Sequence, residues 1–152
     1  MSRLAKVSLL LFFFALCGAA IVATHQAREH TPAPSAHELF SVVNRQLSAF
    51  RRADFDTAYH HAAAGVQQKF SRSQFEFMVR RDFSSLTQAR HVEFGAVEVA
   101  GAAALVQVFL TTSDGGMRAY LYSFSAEPDG WKISGVTPLG PQPLPRLPGL
   151  HI

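Results

Sequence analysis

The chain has one cysteine, Cys17, so no intramolecular disulfide can staple it. Cys17 sits in an apolar N-terminal run, which removes thiol nucleophiles and cysteine-ligated zinc from everything beyond that run. Charge is scarce too, at 16% of residues against about a quarter in an ordinary globular sequence. With 48% hydrophobic residues, that scarcity excludes an acidic or weakly hydrophobic disordered chain and points to an apolar segment raising the average. No Gly-rich phosphate loop precedes a helix and no GxSxG occurs, so a nucleotide cofactor and a serine nucleophile of that type have no support. Proline is nearly missing from the interior. Of eight prolines only Pro128 lies well inside, whereas Pro32 and Pro34 precede it and five more crowd the chain from Pro138 onward.

The apolar segment is at the N-terminus. Arg3 and Lys6 precede residues 7–23 (VSLLLFFFALCGAAIVA), where Ser8 is the clearly polar member, and Thr24, His25 and Gln26 follow. A basic end, an apolar stretch and small residues such as Ala20 and Ala23 make a signal peptide with a cleavage site. The stretch also approaches the shortest bilayer span, so an uncleaved anchor is the alternative, with membrane contact confined to residues 7–23. Leu16 stands before Cys17 where a lipidation motif wants a small residue. Either way the expected location is extracytoplasmic, in a bacterial periplasm or secreted. Two of the 14 basic residues fall in this segment and none of the 11 acidic ones do, so the net charge of the remainder is +1 rather than +3. The basic pairs Arg51-Arg52 and Arg80-Arg81 form no clustered stripe, and no nucleic-acid partner is expected.

The prolines divide the rest into a linker over residues 24–34, a domain over residues 35–139 and a Pro-rich tail over residues 140–152. The first half of the domain is helical. Ser35 and Glu38 have capping-box spacing, and Leu39, Val43, Leu47 and Phe50, with Val42 and Gln46 between, recur at helical period to about Ala53. Asp54 caps a second helix presenting Phe55, Ala58, Tyr59 and Ala62, which Gly65 ends. A third helix starts near Ser71 or Ser73 and carries Phe75, Met78, Val79 and Phe83 inward. The second half has period two. Val92 and Phe94, then Val97 and Val99, alternate with polar residues, and the phase slips at Gly95-Ala96 as a β-bulge requires. Residues 104–112 read as a central strand, residues 117–125 place Tyr120, Tyr122 and Phe124 on one face, and Trp131, Ile133 and Val136 mark the last strand. Turns at Ala100-Gly101, at Asp114-Gly115-Gly116 and over residues 127–130 are short enough to join antiparallel neighbours. The expected fold is therefore α+β, with three helices packed on a four-stranded antiparallel sheet and preceded by a hydrophobic export helix.

Four runs carry a resemblance: AFRRADFDTAY at residues 49–59, GVQQKF at 65–70, FMVRRDF at 77–83 and DGWKISGV at 129–136. On these the chain resembles an exported bacterial family catalogued as domain of unknown function 4864, whose members are similar to the nuclear-transport-factor-2-like (NTF2-like) superfamily. The resemblance implies a cone of helices wrapped by a curved antiparallel sheet. Ala64, before Gly65, departs from a proline often found in the family. The runs are packing patterns, so the resemblance implies shape and leaves chemistry open.

The superfamily includes isomerases and dehydratases, whose proton transfers need a sheltered carboxylate or imidazole facing a donor. Tyr59, His60 and Asp82 are the catalytic candidates on that reading. The other carboxylates have simpler readings: Asp54 and Asp56 at a helix start, Asp114 and Asp129 in turns, Glu93 and Glu98 on a polar strand face. His60 and His61 point about 100° apart on a helix and do not chelate one metal together; no metal or other cofactor is expected. Tyr59, Tyr120, Tyr122, Phe124 and Trp131 are candidate linings of a concave pocket. The leading expectation is a non-catalytic module binding a small apolar ligand or a protein partner. The alternatives are an isomerase- or lyase-like enzyme and a homodimerisation domain using the exposed sheet face.

Overall fold

The computed structural model describes residues 33–140. The export segment, His25 and His30, nearly all of the linker, and the tail beyond Gly140 lie outside the described residues.

Helix α1 (Ala36–Arg51) opens on Ser35, whose Oγ accepts from the Glu38 N–H at 3.1 Å. It buries Leu39, Val43 and Leu47 completely, together with Phe50 and Gln46. The helix stops in a two-bond turn, with the Ala53 N–H donating to Phe50 O at 3.0 Å and the Asp54 N–H to Ala49 O at 2.9 Å. That closure demands a left-handed residue, and Ala53 supplies it at φ 55° although it is not glycine. Asp54 then caps α2 (Phe55–His60), its carboxylate accepting from the Thr57 N–H and hydroxyl, bonds that hold it below the usual carboxylate range.

The three-helix expectation needs correction, because two short helices were not read from the sequence. Gly65 does not end the second region; it lies in the first turn of α3 (Ala64–Lys69), where leading N–H groups lack helical partners. The cap comes from far away in sequence: Glu127 Oε1 accepts from the Ala64 N–H at 2.8 Å. Helix α4 (Arg72–Asp82) follows, with the complete reciprocal capping box at Ser71 and Gln74, at 3.2 and 2.8 Å. At Ser35 only half of such a box forms among the described residues. Helix α5 (Ser84–Thr87) is a single turn that buries Leu86.

Strands β1 (Ala89–Ala100), β2 (Ala103–Thr112), β3 (Met117–Glu127) and β4 (Gly130–Leu139) form an antiparallel meander in sequence order. The fold is thus α+β, with helices against one face of an open sheet. Val106, Val108 and Leu110 meet Tyr120, Tyr122 and Phe124 on the buried face, and Trp131 and Ile133 complete it. The expected slip falls between Phe94 and Val97. Glycine is required there by close approach, since a Cβ on Gly95 would lie 2.8 Å from Gln107 Oε1 and 3.0 Å from the Phe109 ring. In β4 another bulge leaves Ser134 unpaired, between Ile133 opposite Phe124 and Gly135 opposite Ser123. The outer edge of β4 is joined by the α2–α3 connection: Ile133 N–H donates to His61 O at 2.9 Å and Ala63 N–H to Ile133 O at 2.8 Å.

Candidate ligand cavity

Pinning residues 61–63 to the β4 edge holds α3 across the end of the helical layer, and between α1, α3, α4, α5 and β4 the packing leaves a cavity of about 180 Å³. Its floor consists of buried side chains: Gln46 and Phe50 from α1, Ala62 from the α2–α3 connection, Phe75 and Val79 from α4, Leu86 from α5 and Ile133 from β4. Half-buried Val66, Phe70, Met78, Phe83 and Val136 and exposed Ser134 line the rest. Among the described residues, no Asp, Glu, His, Lys, Arg, Tyr or Cys contributes to this lining. The one polar side chain on the floor is Gln46, 3% exposed, whose Nε2 donates to Ala58 O at 3.3 Å. Its Oε1 has no hydrogen-bond partner among the described residues, yet Tyr122 Oη is the one fully sealed polar side-chain atom lacking a partner there. Gln46 is itself among the residues that line the cavity, so its amide oxygen is the polar atom of the floor side chains left without a partner among the described residues.

The candidates named from the sequence lie elsewhere. Tyr59 stacks obliquely on Phe75, with centroids 5.4 Å apart, and its hydroxyl clasps the end of α3, at 2.6 Å from Phe70 O and 3.0 Å from Gln67 O. Gln67 Nε2 returns to Tyr59 O at 2.9 Å and Ala62 O at 3.0 Å, so this clasp forms one wall's backing rather than its surface. His60 is exposed, and its carbonyl accepts from Lys132 Nζ at 3.0 Å. Asp82 is exposed and forms a two-pronged pair with Arg81 at 2.7 Å, which holds its carboxyl below the usual range. The three side chains are not brought together. Tyr120, Tyr122 and Phe124 are core residues that do not line the cavity. Tyr120 bonds to the Ser85 hydroxyl, and burial raises the Tyr122 phenol far above its ordinary value. Gln46 was legible as a polar residue on an apolar helical stripe, but its aim toward a cavity was not.

Trp131 lines a separate, open groove with His37, Arg45, His61 and Lys132. Lys132 is paired with Asp129 at 3.0 Å. Burial lowers the His61 pKa, and the nearby cations Lys132, Arg45 and His60 lower it further. No group of three or more His, Cys, Asp or Glu that could hold a metal occurs among the described residues.

The fold class and the lining define an α+β domain with an apolar cavity. The chain belongs to the family described as Domain of unknown function (DUF4864), whose model matches residues 32–143. Among solved structures, one similar chain is a candidate dehydratase from the NTF2-like family of Streptomyces avermitilis, at 16% identity and a TM-score of 0.46, over 66% of this chain and 91% of that one. No curated protein matches this chain.

Proposed function

We propose that the domain is a non-catalytic extracytoplasmic module, built as an NTF2-like cone, that carries a small apolar ligand. The observation that supports this most is the lining of the cavity: apolar side chains around a single buried amide, with no group that titrates near neutrality among the described residues. Proton-transfer chemistry needs such a group within hydrogen-bond reach of the substrate, and the Tyr59 hydroxyl, which is not in the lining, is committed to backbone carbonyls. Export is supported by the basic and apolar N-terminal pattern; among the described residues no helix is long and apolar enough to cross a membrane.

Native mass spectrometry of the protein recovered from its own host's extracytoplasmic fraction tests both halves. Ligand-sized excess mass is expected on wild type and not on Val66→Phe, which fills part of the cavity; wild type carrying no excess mass removes the basis for a carrier. The same spectrum reports whether the chain starts at Met1 or near Thr24, and recovery solely from the cytoplasm contradicts export.

A second reading is self-association through the other face of the sheet, where half-buried Leu105, Phe109 and Leu121 stand on the two central strands. Light scattering across concentrations decides it, a strict monomer excluding that role.

A further inference from the structure

We propose that the cavity selects an uncharged, single-ring ligand bearing one hydrogen-bond donor, of which phenol is the simplest, with the donor on Gln46 Oε1 and the ring between Phe50, Phe75 and Ile133. This rests on the carrier reading above and adds to it the polarity and size of the ligand.

The size follows from the volume. An apolar cavity of about 150 Å³ is known to hold benzene, and this one is about 180 Å³, which admits one substituted ring. A larger ligand extends beyond that volume. The polarity follows from the amide. Because Ala58 O can only accept, the Gln46 nitrogen must face it, and the oxygen is the atom left for the cavity. An acceptor there calls for a donor on the ligand and repels a carboxylate. A cationic donor such as an ammonium is disfavoured as well, since among the described residues no acidic side chain lines the cavity to offset the loss of its hydration. Water is a weak competitor on this floor, because a buried water needs two to four polar partners and the floor side chains offer one. A phenolic or indolic donor satisfies the amide oxygen while placing its ring against the Phe50 and Phe75 rings, whose centroids are 6.1 Å apart.

The experiment compares phenol with toluene, which has nearly the same shape and no donor, on the full-length protein and on Gln46→Leu, by titration calorimetry. Gln46→Leu is expected to weaken phenol about tenfold relative to toluene, the size of one neutral hydrogen bond. A phenol-to-toluene ratio unchanged by the substitution overturns the donor assignment while leaving the carrier reading in place. Binding of neither ligand to wild type overturns both. Should Gln46→Leu fail to fold, the wild-type Gln46 side-chain amide resonances provide the second readout. Phenol is expected to shift them well beyond toluene, and equal shifts for the two ligands contradict the proposal.

Discussion

Tyr59 illustrates how a residue with catalytic chemistry is spent on structure. Its hydroxyl closes the end of α3 through the Phe70 and Gln67 carbonyls while its ring packs on Phe75. Tyr59→Phe keeps the ring and removes the closure, so it is expected to lower stability by about 1–2 kcal/mol, the cost of leaving such acceptors unpaired, as read by chemical denaturation. Ala53 makes the opposite case. A left-handed alanine costs about 1–2 kcal/mol relative to its ordinary conformation, and glycine escapes that cost but loses more freedom on folding. With φ at 55° and the turn already closed by two bonds, Ala53→Gly is expected to raise the denaturation midpoint, by about 0.5–1 kcal/mol in stability. A lower midpoint contradicts this account of how α1 ends.

The elements that the sequence disclosed are those whose signals are local. The stripe of Leu39, Val43, Leu47 and Phe50 is legible because helical period alone puts them on one face, and the Gly95 bulge is legible because it shifts a period-two pattern by one residue. Helix α3 was not, since it has no side-chain cap of its own and takes its N-terminal acceptor from Glu127 on β3. The cavity shares that origin: it exists where α3 and the bulged β4 edge meet, and nothing within either run announces the meeting. Helix α4 offered a local signal, Ser71 three residues before Gln74, which forms the full reciprocal box. Ser71→Ala is expected to cost about 1 kcal/mol by thermal or urea denaturation, with Gln74→Ala smaller in effect because it removes one arm of the box.

Over the whole domain, pH enters through His61. Partial burial, and then Lys132, Arg45 and His60, hold its folded pKa below the ordinary 6.5, so the unfolded chain takes up a proton more readily than the folded one. The resulting contribution is fully present above pH 6.5 and is lost as pH falls through the lowered folded value. The carboxylates with lowered values, Asp54, Asp82, Asp114 and Asp129, start from 3.8 and act at more acid pH, so the window just below 6.5 lies clear of theirs, and the His61→Gln comparison singles out this histidine. Stability is expected to decline from pH 7 to about pH 5, and less steeply in His61→Gln, as measured by denaturation at each pH. A slope unchanged by that substitution contradicts the assignment.

Neighbouring residues of the α2–α3 connection line two different spaces, His61 the charged groove and Ala62 the apolar cavity, and the carrier reading depends most on that cavity being able to hold a ligand. The direct measurement is a methyl NMR titration of the full-length protein with toluene. Saturable shifts are predicted at Val66, Met78, Val79, Leu86 and Ile133, with Leu105 and Leu121 on the far face of the sheet unmoved. Shifts spread evenly over both sets, or none at any concentration toluene reaches in water, contradict the carrier reading.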